Sequence, residues 1–500
     1  MAKALSAPEV EAVRLGEHGL LLDRGLVGGR WVAADDGATF DVRNPATGGL
    51  LAQVPRMGVA ETRRAISAAA DAFPGWRSLL ARERAQILRR WSDLLLVHAD
   101  DLALLLTAEQ GKPLAEAKAE IVYAASFLEW FGEEAKRIYG DTIPTYMQDR
   151  RVVVIKQPVG VSAGITPWNF PAAMPTRKAA PALAAGNTMV LKPAEQTPLT
   201  ALAVAKLGQE AGLPDGVFSV VTGDAADAPT IGGELTSNPV VRKVGFTGST
   251  EVGKLLMAQC SKQLKKISLE LGGNAPFIVF DDADVGAAVA GTVLCKYRNS
   301  GQTCISANRI LVQDGIYDAY LEGLVAAVAT LKVGAGTEPG VNVGPLIDDA
   351  GFSKVRRHVE DALENGAELV AGGRPHELGH TFFEPTVLVN VAADMAMSCE
   401  ETFGPVAGIA RFATEEQAVR VANATPYGLA AYFYSRDVGR VWRISEALDY
   451  GIVGINTGFI STEVAPFGGM KESGMGREGS KYGIDDWVEL KYLAIAGLSE

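Results

Sequence analysis

The sequence predicts an α/β fold with two successive sheet-containing domains. The chain has 500 residues, and at roughly 150 residues per domain this length predicts more than one domain. Residues 59–139 carry apolar residues at three- and four-residue intervals, which is typical of amphipathic helices. After residue 140, β-branched runs ended by Gly or Pro alternate with helix-like segments, and the alternation restarts at about residue 274. Such alternation indicates parallel sheets covered by helices.

The first elements along the chain are helices, followed by strands. Within residues 59–139, the stretch RERAQILRRWSDLLLVHADDLALLLTAEQ places charges between its apolar residues. RVVVIKQPVGVSAGITPW and NTMVLKP are then predicted as strands, because β-branched residues dominate and Gly or Pro ends each run. Helix-like and strand-like segments continue to alternate through TPLTALAVAKLGQEAGL, FSVVTG, VRKVGFTG, STEVGKLLMAQCSKQL and KKISLELGG.

A second α/β domain is predicted from about residue 274 to about residue 456. It begins with the strand APFIVF, the helical segment ADVGAAVAGTVLCKYRNSG and the strand RILVQ. Residues 483–496, GIDDWVELKYLAIA, resemble a strand and have no partner after them. We expect this terminal strand to add to a sheet elsewhere, for example in another subunit.

Composition and charge narrow the functional classes. Hydrophobic residues make up 48% of the chain and charged residues 21%, which excludes a mostly disordered or collagen-like protein. The chain has 47 basic and 59 acidic residues, a net charge of −12, and its basic residues are scattered. This pattern argues against nucleic-acid and membrane partners.

Cysteine content and the N-terminal segment predict a cytoplasmic protein. The four cysteines are too few and too widely spaced for a disulfide framework or a CxxC metal site. The first twenty residues have acidic positions where a signal peptide needs an apolar core, and they lack the Arg-rich start of a transit peptide. The uncharged run at residues 157–176 contains four prolines, so it is predicted as folded interior and not as a membrane helix.

Three short motifs match known sites but lack the surrounding structure that those sites need. Residues 376–380, HELGH, fit a zinc motif, yet the flanking Gly and Pro predict a polar connection between strands. Residues 474–479 fit GxGxxG, but no βαβ unit follows, so we predict a loop. Residues 248–254, GSTEVGK, are followed by Leu255 where a triphosphate site needs Ser or Thr. The same turn opens a predicted helix at Ser249, where free backbone N–H groups suit a dinucleotide pyrophosphate.

Cys304 is the candidate nucleophile and Glu270 the candidate base. Cys304 lies in a polar, Gly-containing turn between a helical segment and the strand RILVQ, where a thiol can be reactive. Cys295 is predicted in the core and Cys260 on a helix, and no histidine has the context of a catalytic partner. Glu270 ends a strand before two glycines that let a ligand approach. A buried small hydrophobe for Cys304, and a capping or surface acid for Glu270, remain the alternatives.

Seven separate blocks occur in the order found in one enzyme family. They are TPWNFP at 166–171, KPAEQTPL at 192–199, GFTGSTEVG at 245–253, LELGGNAP at 269–276, NSGQTC at 299–304, EETFGPV at 400–406 and PFGGMKESGMGREG at 466–479. From about residue 28 onward, the chain closely resembles the NAD(P)-dependent aldehyde dehydrogenases, and among them the succinate-semialdehyde dehydrogenases.

The resemblance implies an aldehyde dehydrogenase-like α/β architecture in three parts. These are a Rossmann-type dinucleotide-binding domain (residues 1–139 and 159–270), an α/β catalytic domain (271–475) and a small oligomerisation sheet (140–158 and 476–500). It further implies a homodimer or homotetramer with no resident metal.

The resemblance also implies a mechanism. The Cys304 thiolate would attack the aldehyde, the Asn169 side-chain amide and the Cys304 backbone N–H would hold the oxyanion, and Glu270 would activate water to hydrolyse the thioester. Relatives that transfer the acyl group to coenzyme A lack this glutamate, so its presence favours a free acid product.

For the cofactor, the resemblance places Lys192 and Glu195 at the adenosine ribose, Ser249 at the pyrophosphate, Glu401 at the nicotinamide ribose and Phe403 against the nicotinamide. The remaining implied cofactor contacts are Thr166, Trp168, Gly248 and Leu271. NAD is the expected cofactor and NADP a less preferred one, because a carboxylate at position 195 repels a 2′-phosphate.

For the substrate, the resemblance implies that Arg177, Arg298 and Ser461 bind the distal carboxylate of succinate semialdehyde. The alternatives are a surface position for Arg177 and an acid of the fold as the partner of Arg298. Glutarate semialdehyde, with one more methylene, or a broader range of aldehydes are the competing substrates. From other classes, a non-enzymatic crystallin-like protein and a zinc hydrolase built on residues 376–380 are weighed against the dehydrogenase.

Overall fold

The computed structural model describes residues 11–16 and 19–498. Most of the N-terminal segment from which we expect no signal or transit peptide lies outside the described residues. Among the residues described, no helix is both long enough and apolar enough to cross a membrane. The uncharged run at 157–176 is folded into strand, turn and the beginning of a helix, as predicted.

The described residues form fourteen α-helices. They are α1 (Val59–Ser78), α2 (Ala81–Val97), α3 (Ala99–Gln110), α4 (Leu114–Glu134), α5 (Ala173–Ala184), α6 (Pro198–Glu210), α7 (Ala228–Ser237), α8 (Thr250–Ser261), α9 (Val285–Tyr297), α10 (Tyr317–Val328), α11 (Asp349–Glu364), α12 (Ala396–Cys399), α13 (Glu415–Asn423) and α14 (Val438–Ala447). Helices α1 to α4 confirm the predicted helical segment. Helix α8 begins after Ser249, whose side-chain oxygen accepts a hydrogen bond from the Val252 N–H and so caps the helix.

The described residues also form twenty strands. They are β1 (Gly25–Val27), β2 (Arg30–Val32), β3 (Thr39–Arg43), β4 (Leu50–Pro55), β5 (Asp141–Ile143), β6 (Arg151–Pro158), β7 (Val161–Ile165), β8 (Thr188–Lys192), β9 (Phe218–Val220), β10 (Val241–Thr247), β11 (Lys266–Glu270), β12 (Ala275–Val279), β13 (Ala307–Gln313), β14 (Glu368–Ala371), β15 (Thr386–Val389), β16 (Val406–Phe412), β17 (Ala430–Tyr434), β18 (Ile452–Ile455), β19 (Gly474–Met475) and β20 (Val488–Ile495). Strands β1 to β4 precede the helical segment, and the sequence analysis did not predict them.

The largest sheet has eight strands in the order β19-β11-β10-β7-β8-β9-β1-β2. Its five central strands, from β11 to β9, are parallel to one another. Chain order runs outward in one direction from β7 through β8 to β9 and then returns to the other side with β10 and β11. The strand order therefore reverses between β7 and β10, and open α/β sheets bind ligands beyond the carboxyl ends of the strands at such a reversal.

The second sheet has seven strands in the order β14-β15-β16-β13-β12-β17-β18, and every pair except β14 with β15 is parallel. This sheet confirms the predicted second run of alternating strands and helices. Residues 376–380 lie in turns between β14 and β15, which confirms that HELGH is a connection between strands and lies on no helix.

The third sheet has the order β20-β6-β5, and β20 pairs antiparallel with β6 over eight residues. The prediction of a terminal strand is confirmed, but its partner here belongs to the same chain, not to another subunit. The three strands fall within the predicted oligomerisation segments.

The glycine-rich segment at residues 474–479 departs from the prediction of a loop. Its first two residues form β19, which pairs with the end of β11 at Glu270 in the eight-stranded sheet. Residues 474 and 475, at the end of the predicted catalytic domain, thus pair with the eight-stranded sheet of the predicted dinucleotide-binding domain. The division into domains at the stated boundaries remains a prediction.

Candidate active site

Two cavities meet at Cys304. The arginine cavity, about 360 Å³ in volume, is lined by Arg177, Arg298 and Ser461 together with aromatic and aliphatic side chains. The sheet-end cavity, about 400 Å³, lies beyond the carboxyl ends of β10 and β11 and is lined by Trp168, Asn169, Gly248, Ser249, Glu270, Leu271, Glu401 and Phe403. Cys304 and Met174 line both cavities. A thiol at this junction can be reached from both sides.

The segment before Cys304 leaves helical geometry abruptly after α9. Asn299 and Ser300 have φ values of 50° and 56°, a left-handed conformation that costs free energy for residues with a side chain. Gly301 continues it at φ 74°, and an added Cβ there would lie 2.1 Å from the Gly404 carbonyl oxygen, so only glycine fits. The Ser300 hydroxyl donates to the Gly344 carbonyl at 2.9 Å. These contacts hold a strained turn that presents Cys304 at the cavity junction.

Asn169 lies between β7 and α5 and is held close to the Cys304 turn. Its side-chain Nδ2 donates to the Gln302 carbonyl at 3.1 Å, and its backbone carbonyl accepts from the Lys112 ammonium at 2.8 Å. Because an amide nitrogen has two hydrogens, one N–H of Asn169 remains for a ligand. Lys112 forms a buried ion pair with Glu120 at 2.6 Å.

Glu270 ends β11 and is buried, with a relative exposure of 3%. Neither carboxylate oxygen has a hydrogen-bond partner among the described residues. Burial, reinforced by the charge of Glu478, raises the pKa of Glu270 well above its usual value, although Arg177 and Lys178 act in the opposite direction. Gly468 allows this close packing, because a Cβ there would lie 3.0 Å from a Glu270 oxygen.

Burial is also the main cause of the pKa change of the Cys304 thiol. Burial raises the pKa of its thiol to about 12, Glu401 and Glu270 add to the increase, and Arg177 opposes it. The thiol is therefore protonated at neutral pH in the protein without ligands. Of the other cysteines, Cys295 is buried after the middle of α9 and Cys260 lies on α8, as predicted.

The sheet-end cavity combines a helix N-terminus, an aromatic pair and a buried acid. No acceptor is found among the described residues for the backbone N–H groups of Thr250 and Glu251 at the start of α8. The rings of Trp168 and Phe403 meet edge to face, with centroids 5.4 Å apart. Glu401 accepts from the Gly273 N–H at 3.2 Å, and burial raises its pKa to about 7.

Three predicted cofactor residues lie where β7 and β8 end. Thr166 directly follows β7, and its backbone N–H donates to the carbonyl of Lys192, the last residue of β8. The Lys192 ammonium lies 3.5 Å from a Glu195 carboxylate oxygen. Lys192 and Glu195 share this sheet edge with the sheet-end cavity but do not line it.

The structure corrects the surface alternative for Arg177. It is buried in α5, with a relative exposure of 2%, and its guanidinium lies 4.2 Å from the Phe467 ring centre. Nη2 lies 2.9 Å from the Glu478 carboxylate, but this ion pair does not have hydrogen-bond geometry. Nε and Nη2, both buried, have no hydrogen-bond acceptor among the described residues. Burial of this cation does not by itself require a bound anion, because the fold supplies Glu478.

Arg298 and Ser461 lie in the same cavity as Arg177. Arg298 has no ion pair within 4 Å in the part of the chain that the structure describes, and the acid Glu116 lines the same cavity. Its guanidinium instead lies over the rings of Phe459 and Phe170, at 5.0 and 5.7 Å from their centres. The cavity thus brings all three predicted substrate residues together.

Sequence reasoning missed the charged residues that support this site. Glu478 binds the Lys178 ammonium at 2.6 Å as well as pairing with Arg177. Lys178 also donates to the Thr247 hydroxyl at 2.7 Å. Glu478 lies in the quoted block at 466–479, between Arg477 and Gly479. Glu116, which lines the arginine cavity, had no distinguishing signal in its helical segment.

Within residues 11–16 and 19–498, no group of three or more His, Cys, Asp or Glu side chains is placed to hold a metal ion.

Comparison with known proteins gives a consistent result. The family model described as "Aldehyde dehydrogenase family" matches residues 31–493. A glutarate-semialdehyde dehydrogenase of Pseudomonas aeruginosa is 62% identical over 486 residues, covering 97% of this chain and 100% of that protein. The "Succinate-semialdehyde dehydrogenase [NADP(+)] GabD" of Escherichia coli is 61% identical, covering 97% of this chain and 100% of that protein. A crystal structure of succinate-semialdehyde dehydrogenase from Burkholderia pseudomallei has a TM-score of 0.95 at 62% identity, covering 96% of this chain and 99% of that one.

Proposed function

The chain belongs to the aldehyde dehydrogenase family, and from this premise we propose that it oxidises succinate semialdehyde to succinate, with glutarate semialdehyde as the alternative substrate. It is an NAD(P)-dependent oxidoreductase, and similar proteins are named for each of the two semialdehydes. Sequence identity of about 60% to such enzymes favours a dehydrogenase over a non-enzymatic crystallin-like protein or a zinc hydrolase.

One observation carries the carboxylate part of this proposal. Arg177 lines the cavity that reaches Cys304, and its buried Nε has no hydrogen-bond acceptor among the described residues. A buried donor without a hydrogen-bond partner destabilises the folded protein. A guanidinium can donate two parallel hydrogen bonds to a planar carboxylate. Arg298, without a direct acidic partner, and the Ser461 hydroxyl add donors to the same cavity. A short aldehyde with a distal carboxylate would satisfy these groups.

The choice between the two semialdehydes rests on length. A single methylene is worth only about 1 to 3 kcal/mol in discrimination. A cavity of about 360 Å³ has room for either substrate. Succinate semialdehyde remains the proposal on the motif resemblance.

Cys304 is proposed as the nucleophile. Its thiolate would attack the carbonyl carbon, and the oxyanion formed would accept from the remaining Asn169 N–H and from the Cys304 backbone N–H, for which no backbone acceptor is found among the described residues. Removing one such donor typically costs about 3 to 4 kcal/mol of transition-state stabilisation.

Glu270 is proposed as the base. Its unpartnered carboxylate, with a raised pKa, is a stronger base than an exposed glutamate, so it can take a proton from the thiol or from water. Water activated in this way would attack the thioester on Cys304, releasing the carboxylic acid and restoring the thiolate.

The sheet-end cavity fits a nicotinamide dinucleotide, which would accept the hydride that leaves the substrate carbon. The unpaired N–H groups at the start of α8 suit a pyrophosphate, the Trp168 and Phe403 rings offer an aromatic wall, and Glu401 is placed to accept from a ribose hydroxyl. We propose Thr166, Gly248 and Leu271 as further contacts.

NAD is proposed as the preferred cofactor over NADP. The Glu195 carboxylate lies 3.5 Å from the Lys192 ammonium and so neutralises the cation that a 2′-phosphate would need. A carboxylate can still accept from a 2′-hydroxyl. Because a similar protein is named for NADP, the ratio of kcat/KM with NAD to kcat/KM with NADP should be measured first.

A homodimer or homotetramer in the cytoplasm completes the proposal. The three-stranded sheet exposes Ile143, Leu490 and Tyr492 by 44%, 70% and 55%, and so small a sheet is stable only when its apolar face is covered. All four cysteines are free, which supports a reducing compartment.

The test compares succinate semialdehyde, glutarate semialdehyde and uncharged butanal by the absorbance of the reduced cofactor. Wild-type enzyme should have the highest kcat/KM for succinate semialdehyde, and Arg298→Ala should lose roughly tenfold or more for the two acids while changing little for butanal. Arg177→Lys keeps the charge opposite Glu478 but removes the planar donors, so it should also lose efficiency selectively. Arg89→Ala, on the exposed face of α2, is the control. Equal losses for acid and butanal would remove these arginines from the substrate site.

A further inference from the structure

The arginine cavity contains a carboxylate that the proposed reaction does not use. Glu116, near the start of α4, lines this cavity together with Arg177, Arg298 and Cys304. An acid in the cavity proposed for an anionic substrate should oppose binding. The cavity therefore contains a negative charge that the proposed substrate does not explain.

A backbone hydrogen bond fixes Glu116 beside Arg298. The Asn299 N–H donates to Glu116 Oε2 at 2.8 Å, and Asn299 directly follows Arg298 in the chain. No hydrogen bond to the second oxygen, Oε1, is found among the described residues. One oxygen thus holds the turn before Cys304, and the other remains available within the cavity.

The other charges around the cavity are directly paired. Lys112 lies 2.6 Å from Glu120, and Arg177 lies 2.9 Å from Glu478. Within the described ranges, Arg298 and Glu116 are the cavity-lining charges without an ion pair inside 4 Å. Glu116 and Arg298 carry opposite charges that attract each other without a direct ion pair, so the charges that line the cavity nearly cancel.

We propose that Glu116 is a specificity-determining residue whose charge competes with the substrate carboxylate for Arg298 and so limits the preference for acidic over neutral aldehydes. This inference rests on the proposed function. A carboxylate that approaches Arg298 also approaches Glu116, and two like charges in a partly buried site repel each other strongly. A neutral Glu116 would leave Arg298 free for the substrate.

The same arrangement predicts a pH dependence of specificity. Burial raises the pKa of Glu116, and Glu120 adds to the increase, whereas the Asn299 N–H, Lys112 and Arg298 act in the opposite direction. Below its pKa the acid is neutral and no longer repels the substrate. The ratio of kcat/KM for succinate semialdehyde to that for butanal should therefore rise as pH falls. Titrations of Cys304 and Glu270 affect both substrates and cancel in this ratio.

The test uses Glu116→Gln, because glutamine keeps an oxygen for the Asn299 N–H and removes only the charge. At pH 8 this variant should raise the ratio roughly tenfold, the equivalent of about 1.4 kcal/mol, and its ratio should be flat between pH 6 and 9. Glu129→Gln, an exposed acid on the same helix, should leave the ratio at the wild-type value. Glu116→Ala, which also loses the hydrogen bond, should lower kcat for both substrates.

Three results would overturn the inference: an unchanged ratio in Glu116→Gln, an equal loss for both substrates in that variant, or a wild-type ratio that falls as the pH is lowered from 9 to 6. An equal loss would show that Glu116 acts only by accepting the hydrogen bond from the Asn299 N–H. Glu116→Ala also lacks the charge and should also raise the ratio, so it decides the question if Glu116→Gln does not fold. Failure of the proposed function is distinguishable, because it appears as a wild-type enzyme with no preference for the acid at any pH.

Discussion

The protonated state of Cys304 in the protein without cofactor can be measured directly. Burial, and secondly the charge of Glu401, raises the pKa of this thiol from the ordinary 9.0 to about 12. The higher pKa lowers the thiolate fraction about a thousandfold at any pH well below both values. A more basic thiolate is intrinsically more nucleophilic, which recovers part of this loss and leaves a rate about fiftyfold slower than that of an ordinary cysteine.

The assay is alkylation by iodoacetamide, followed residue by residue by mass spectrometry. Cys399 is exposed and serves as the reference within the same molecule. From pH 7 to pH 10 the Cys304 rate should rise about tenfold per unit without a plateau, because the thiolate fraction rises in that proportion below the pKa. Glu401→Gln removes a negative charge near the thiol and should accelerate alkylation at pH 8, whereas Glu129→Gln, on the exposed face of α4, should not. A plateau near pH 8 or 9, or equal rates at Cys304 and Cys399, would refute the reasoning.

Three further variants test the proposed base, the cofactor preference and the buried ion cluster. Glu270→Gln should release one equivalent of reduced cofactor and then stall at the thioester, so a normal steady-state rate would exclude Glu270 as the base. Glu195→Ser should lower the ratio of NAD to NADP efficiency, and an unchanged ratio measured in parallel titrations would contradict its role. Glu478→Gln leaves Lys178 without its carboxylate and should destabilise the protein by about 3 to 5 kcal/mol, seen as a lower melting temperature; wild-type melting would argue against the ion pair.

The elements that were predicted correctly are those whose signal is local. Helical periodicity over α1 to α4 and β-branched runs ended by Gly or Pro do not depend on distant residues. Strands β1 and β2 were missed because three residues are too few to show alternation. The terminal strand β20 was predicted, but its partner β6 lies more than 300 residues earlier in the chain, and such pairing has no local signal.

The same distinction applies to the site. Cys304 and Glu270 were proposed from the sequence because each occupies a recognisable local context, a polar turn and a strand end followed by glycines. Whether each group is charged, and whether it is paired, depends on residues that are distant in the sequence. The ion pair between Arg177 and Glu478 is the clearest case, because it changes a cation without an anion into a balanced pair. Only the fold shows which charges are already neutralised.

Several polar groups at this site are buried without hydrogen-bond partners, which lowers the stability of the protein without ligands. Buried atoms without hydrogen-bond partners include both oxygens of Glu270, the Nε of Arg177 and the Tyr123 hydroxyl, which belong to residues that line the two cavities. Each such group costs roughly 1 to 3 kcal/mol in the folded protein without ligands. Stability alone would favour apolar residues at these positions, so their retention is explained if substrate, water or cofactor completes their hydrogen bonds. Binding then supplies the missing hydrogen bonds, so occupancy of the two cavities should raise the stability of the folded protein.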